Sequence, residues 1–264
     1  MRVIGLKVKV LESKGPVLEF MIEGTDPAFA NSLRRIMIAE VPTMAIQWAD
    51  IHDNNSALFD EVLSHRLGMI PLKFDPRKFN FSEDCKCKGK GCPLCEVAFV
   101  LDVKGPALVT SGDLKASNKA VAPTDPRIPI TELLEGQAVK LEAVARLGTG
   151  MQHAKHQAAN ASYQYYPQIT FKGARDEALK ALKAAPEGSY GVEGHEIVIK
   201  DLSKTDMFKG LLDGVHGVEM KPDETRLVFK VESISGLEPA YIVAKAAEIL
   251  GERAAEFRKV LQRI

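Results

Sequence analysis

The sequence predicts an α+β fold in which both chain ends build one discontinuous domain and everything between them is inserted. Two observations predict it: each end reads as a strand followed by an amphipathic helix, and the residues between them change to short alternating runs broken by proline, glycine and aspartate. A third observation, all four cysteines falling between positions 85 and 95, sets a compact metal-type loop within the insertion.

The opening segment alternates. Leu6, Val8 and Val10 share one face with Lys7 and Lys9 between them, Ser13-Lys14-Gly15-Pro16 punctuates, and Val17 to Ile22 resumes, which predicts a β-hairpin. Asp26-Pro27 then sets a capping side chain before a proline at the first helical position. Phe29, Leu33, Ile36 and Met37 follow on one helical face, and the helix must end before Pro42. At the other terminus Leu227, Phe229 and Val231 alternate as a strand, and Glu238-Pro239 opens a helix to the chain end. Its stripe of Ile242, Ala246, Ile249, Leu250, Phe257, Val260, Leu261 and Ile264 persists for about seven turns, and so long a stripe needs a long partner.

Between the ends, residues 44 to about 167 read as short strands and loops, with strands over 99–103 and 138–147 and a Pro/Gly/Asp-rich stretch near 122–129. Residues 168–222 read as a small α+β unit, with helices over 174–185 and 205–212 and a strand over 196–200.

Composition restricts the function classes. At 264 residues the chain can form one elaborate domain or two to three modest ones, and 45% hydrophobic with 27% charged residues is a globular balance. No run approaches the roughly 20 apolar residues of a membrane helix, and the start carries no secretory pattern, so a soluble cytoplasmic protein is expected. Lysine plus arginine equals aspartate plus glutamate at 35 each, which disfavours tight nucleic-acid binding by this chain alone.

The cysteines run Cys85-x-Cys87-x4-Cys92-x2-Cys95, with Lys86, Lys88 and Lys90 interleaved and Gly89 and Gly91 allowing a tight fold. Four thiolates can close a tetrahedral shell around Zn2+, and nearby ammonium groups favour their deprotonated form. The first pair is C-x-C rather than C-x2-C, so this is not a standard zinc ribbon; an iron–sulfur cluster and unligated reduced thiols are the alternatives. Four protein ligands leave no position for water or substrate, so a zinc there is structural.

No motif for chemistry is present. There is no nucleophile elbow, P-loop, H-E-x-x-H or dinucleotide fingerprint, and no aspartate cluster to hold two catalytic metals. His153 and His156 sit close together without a companion carboxylate, which reads as hydrogen-bonded or solvated side chains. A zinc enzyme of unknown substrate and a nucleic-acid-binding module centred on the lysine-rich loop are the alternative functions; the closed shell argues against the first and the neutral charge against the second.

Three segments carry a resemblance. Phe29-Ala-Asn-Ser-Leu-Arg-Arg-Ile-Met37 with Ala39-Glu-Val-Pro-Thr43, Leu63-Ser-His-Arg-Leu-Gly-Met-Ile-Pro-Leu72, and Leu147-Gly-Thr-Gly-Met-Gln-His-Ala-Lys155 closely resemble signature segments of one RNA polymerase subunit family. It includes the archaeal polypeptide designated D, the third-largest subunit of eukaryotic polymerase II and the bacterial α subunit. The likeness implies an α-subunit-like dimerisation domain at 1–43 plus 223–264, a mainly β inserted domain at 44–167 with the metal loop, and a small ferredoxin-like insertion at 168–222. It implies a non-catalytic assembly subunit that pairs with subunit L, recruits the second-largest and then the largest subunit beside other small subunits, and meets DNA only through the assembled enzyme.

By the same likeness Phe29, Leu33, Ile36, Met37, Ile242, Ala246, Ile249, Leu250 and Phe257 fall at the pairing interface, with ordinary intramolecular core as the alternative at each. Arg34, Arg35, His65, Arg66 and Lys155 match polar positions that contact the large subunits or brace the fold, a solvated face being the alternative. Some archaeal relatives hold an iron–sulfur cluster in the small insertion. Between Gln168 and Pro222 this chain has no cysteine, so no cluster is expected there. The cysteine loop instead resembles the zinc loop of the eukaryotic counterpart.

Overall fold

The computed structural model describes residues 5–172 and 175–263. In chain order the elements are β1 (Lys7–Lys14), β2 (Val17–Glu23), α1 (Pro27–Ala39), β3 (Thr43–Asn54), α2 (Asp60–Gly68), β4 (Leu72–Lys73), β5 (Glu96–Lys104), β6 (Ala107–Thr110), β7 (Lys115–Ala116), β8 (Ala122–Pro123), β9 (Pro129–Leu133), β10 (Ala138–Gly148), β11 (Ala159–Phe171), α3 (Arg175–Ala181), β12 (Tyr190–Glu193), β13 (Glu196–Ile199), α4 (Thr205–Leu212), β14 (Val218–Ser233) and α5 (Pro239–Leu261). The α+β fold class is as expected. One sheet runs β1-β2-β14-β11-β13-β12 and another β3-β10-β5-β7.

The terminal elements form for local reasons. The Asp26 carboxylate accepts the Phe29 backbone N–H at 2.8 Å and so satisfies one of the orphan donors at the start of α1. Ala30, Leu33, Ile36 and Met37 are buried along one face of that helix, and Pro42 prevents its continuation. Pro239 sits at the first position of α5, whose Ile242 and Ala246 are buried.

By contacts the chain divides into two units. One gathers the chain up to Leu11, Glu19–Ala30 and Tyr163–Phe229; the other gathers Glu12–Leu18, Asn31–Ser162 and the chain from Lys230 onward. In the first, Ile169, Phe171, Leu182, Ile197, Phe208 and Leu212 belong to a core that closes α3 and α4 over β11 and β13. Its first helix begins at Arg175 and passes into a 3-10 turn over Leu182–Ala184. Ala174, from which the sequence began that helix, lies outside the described residues.

In the second unit β10 is the central strand, antiparallel to β3 on one side and β5 on the other. Alternation is strict: Val97, Phe99 and Leu101 of β5 and Leu141, Ala143 and Ala145 of β10 are buried, while Ala98, Val100, Lys140 and Glu142 face outward. Two expectations need correction here. The stretch expected to hold only short strands contains the helix α2, which turns Leu63 and Leu67 inward against β3 and β9. It also contains the long strands β3, β10 and β11. The helix has no clear sequence period because only two apolar side chains, Leu63 and Leu67, are buried within its nine residues, and apolar Val62 within it and Phe59 and Met69 beside it are exposed.

Candidate metal centre

The cysteine loop folds back on itself just before β5. Lys88 (φ 53°), Gly89 (φ 80°) and Gly91 (φ 88°) all take left-handed conformations, which turn the chain twice within four residues. Each half is closed by tight backbone bonds: Lys88 N–H donates to Cys85 O at 2.8 Å, and Cys95 and Glu96 N–H both donate to Cys92 O at 2.9 Å. The loop is moored by buried Phe79, edge-on to Phe74 at 6.2 Å, and by Asn80 N–H donating to Leu94 O at 2.9 Å.

This brings the four sulfurs together, all within 4.8 Å of one another, with Cys85 and Cys95 buried and Cys87 and Cys92 half-buried. The Sγ separations are 3.5 Å for Cys85–Cys92, 3.5 Å for Cys87–Cys95 and 3.8 Å for Cys92–Cys95. A tetrahedral shell with metal–sulfur bonds of about 2.3 Å has edges of about 3.8 Å, so the cluster has the size such a shell requires. Burial pushes the Cys95 thiol up to about 12. Burial also opposes the Cys87 thiolate, yet hydrogen bonds from the Cys95, Cys85 and Cys92 thiols bring that group down to about 6. A cation bound here would have to displace the protons these thiols carry. Among the described residues this is the one group of three or more metal-ligating side chains.

The second and third signature segments, and the first from Asn31 onward, lie in the second unit. Lys155 Nζ donates to Ile46 O at 3.0 Å, and burial holds this ammonium below its ordinary range. Lys155, His65, Gly68, His153 and Trp48 line one small pocket. Thr43 Oγ1 donates to His156 O at 2.9 Å, and His156 Nδ1 faces Thr43 O at 3.2 Å. The glycine-rich loop of the third segment docks on the end of α1, where Met151 N–H donates to Ala39 O at 2.9 Å. A Cβ at Gly150 would lie 2.7 Å from Ile38 O and 3.0 Å from Ala39 Cα. Replacing Gly150 with alanine is therefore expected to cost about 1–3 kcal/mol, read as a lowered urea midpoint at unchanged slope.

Of the other polar positions, Arg66 donates to Pro129 O at 2.9 Å, Arg34 reaches Asn31 on its own helix at 2.9 Å, and Arg35 is exposed. Along the apolar positions Leu33, Ile36, Met37, Ile242 and Ala246 are buried by this chain itself, Phe29, Ile249 and Leu250 are half-buried, and Phe257 is exposed. Sequence reasoning quoted Thr43 only as the end of the first signature segment and did not single out Trp48, Glu96 or Arg146. Register alone unites the last three: Glu96 lies directly opposite Arg146 between β5 and β10, and Trp48 opposes Val144 on the same outward face.

Among the described residues the one cluster of metal-ligating side chains is a set of four thiols, and in the same unit Lys155 and Arg66 of the signature segments brace backbone carbonyls. The family model for the RNA polymerase Rpb3/RpoA insert domain matches residues 49–167. DNA-directed RNA polymerase subunit Rpo3 of Archaeoglobus fulgidus is 36% identical, with 98% of each chain covered. That of Methanothermobacter thermautotrophicus is 34% identical over 94% of this chain and 96% of its own. DNA-directed RNA polymerase II subunit rpb3 of Dictyostelium discoideum is 36% identical over 96% and 93%. The chain belongs to the Rpo3/RpoA family of RNA polymerase subunits. The relatives carry the names Rpo3 and rpb3 where the sequence pointed to the archaeal D polypeptide, a difference of wording within one family.

Proposed function

We propose that this chain is the assembly platform of an archaeal-type DNA-dependent RNA polymerase. Its two ends, 1–43 and 223–264, pair with the small subunit L, and the pair then holds the second-largest and largest subunits together with other small subunits. It works in the cytoplasm and meets DNA only as part of the complex. The observation that carries this reading is an end-to-end likeness to Rpo3 combined with an unburied helix end. From Gly251 onward every described residue of α5 is exposed, including Phe257 at 66%, Val260 at 50% and Leu261 at 53%. A helix end with so many exposed apolar side chains is a partner surface in a chain of this kind. β1 supports the same reading separately, being exposed along its whole length with Leu6, Val8 and Val10 bare at the edge of its sheet.

The cysteine knuckle holds Zn2+ with a structural role, and no iron–sulfur cluster is part of the protein. The sulfur spacing and a donor set made of thiols alone favour zinc over the harder divalent cations.

Co-expression with subunit L tests the platform. The pair is expected to co-purify as a soluble heterodimer, whereas the chain alone self-associates. Phe257→Glu is expected to weaken pairing by about 2 kcal/mol or more, roughly thirtyfold in Kd, measured by titration calorimetry. A monodisperse lone chain that does not bind L rejects the proposal.

A further inference from the structure

The cysteine knuckle is physically joined to a surface that none of its ligands reaches. Glu96 follows the ligand Cys95 directly, and its carboxylate lies where a Cβ at Gly91 would fall, so it packs against the turn between Cys87 and Cys92. The other oxygen of this carboxylate, Oε1, accepts from both Nε and Nη2 of Arg146 across the β5–β10 ladder. Both side chains are largely shielded from water, which makes this a stronger pair than the exposed ones on the same face, Lys140–Asp102 at 3.9 Å and His52–Glu142 at 3.9 Å. The guanidinium of Arg146 in turn lies 4.3 Å from the ring centroid of Trp48, the single tryptophan of the chain and 42% exposed. Trp48 lines the pocket with His65, His153 and Lys155, where the second and third signature segments meet.

We propose that Glu96 is a positioning residue through which metal loading of the knuckle orders Arg146 and Trp48, so that the metal state of the loop is read at the signature surface. The physical reason is geometric. The carboxylate is fixed on one side by the turn that the metal closes and on the other by Arg146. An open turn releases it, and Arg146 then loses the anion that holds its plane over the indole. Three links suffice, all in one sheet and its adjoining loop. This deepens the zinc reading of the knuckle and rests on it.

Trp48 fluorescence gives a readout independent of polymerase activity. The full chain is loaded with Zn2+, its metal content measured, and emission and acrylamide quenching recorded before and after chelation. Wild type is expected to bind one zinc, and on stripping to show a red shift and loss of protection at Trp48. Glu96→Gln is expected to keep its zinc yet show the stripped protein's emission in both states, and Arg146→Met to make emission insensitive to zinc. Far-UV circular dichroism of both variants must match wild type, which separates a lost link from a lost fold. A chain that takes up no zinc overturns the metal reading and the proposal with it. A chain that takes up zinc with unchanged Trp48 emission, or a Glu96→Gln variant that responds as wild type does, overturns the link alone.

Discussion

Cys95→Ser is expected to abolish stoichiometric metal binding and to cause the largest loss of stability of any single change in the knuckle. Cys95 is wholly buried, and it joins the loop to β5 because its backbone and that of Glu96 both bond to Cys92 O. Serine offers a hard, protonated oxygen on a shorter bond, which neither closes a four-sulfur shell nor finds a partner among three thiols. Metal binding in such sites is folding free energy, roughly 10–16 kcal/mol in isolated zinc-finger peptides. Here that figure is a ceiling, because β5 keeps its ladder to β10 without the loop. The loss therefore stays local: residues 80–96 open while the sheet survives. Cys87→Ser, at the half-buried rim, is expected to weaken metal binding with a smaller structural cost. Metal analysis and a thermal melt with and without chelator check both. A wild-type melt that chelation leaves unmoved rejects the structural role.

What the sequence made legible follows from how local each signal is. The α1 cap at Asp26 and the α5 start at Pro239 are written in adjacent residues, so both were readable within a turn. The cysteine cluster was readable because four cysteines within eleven positions are kept close by the chain itself, and the structure brings their sulfurs within 4.8 Å of one another. α2 escaped because only Leu63, Leu67 and Gly68 are buried along its nine residues, too few apolar positions to set a helical period, while apolar Phe59, Val62 and Met69 are exposed in and beside it. Trp48, Glu96 and Arg146 escaped for a different reason. They lie in three separate strands, and only the register of β3, β10 and β5 brings them to one face. The signature segments were recognisable as strings, but their physical content emerged only in three dimensions. Lys155, matched as a polar position with contact or bracing as alternatives, donates to a backbone carbonyl 109 residues away in sequence.

The same constellation predicts acid sensitivity centred on His156. The residue is 3% exposed, and its Nδ1 stands 3.2 Å from Thr43 O, an arrangement that requires the hydrogen on Nδ1. Burial depresses its pKa to about 4; the nearby Lys155 and His153 charges act in the same direction and the Thr43 bond in the opposite one. In the unfolded chain the imidazole titrates near ~6.5. Below that pH the unfolded state takes up a proton that the folded state refuses, so the contribution of His156 to stability is complete above about 6.5 and declines as pH falls towards 4. Below about 4 both states are protonated and no further loss comes from this residue. The full span amounts to about 3 kcal/mol, since each pH unit of separation is worth 1.36 kcal/mol. Paired carboxylates such as Asp125, held at about 2 by the Arg127 guanidinium, respond at lower pH and on the surface, so they do not mimic this window. His156→Asn places an amide N–H where Nδ1–H stands, so it can still donate to Thr43 O but cannot titrate. It is expected to be less stable than wild type at pH 7 and to lose markedly less between pH 7 and 4, read from urea midpoints. Equal slopes in the two proteins would remove His156 as the cause. Because Thr43 ends the first signature segment and His156 follows the third, protonation loosens the junction on which the signature surface is built.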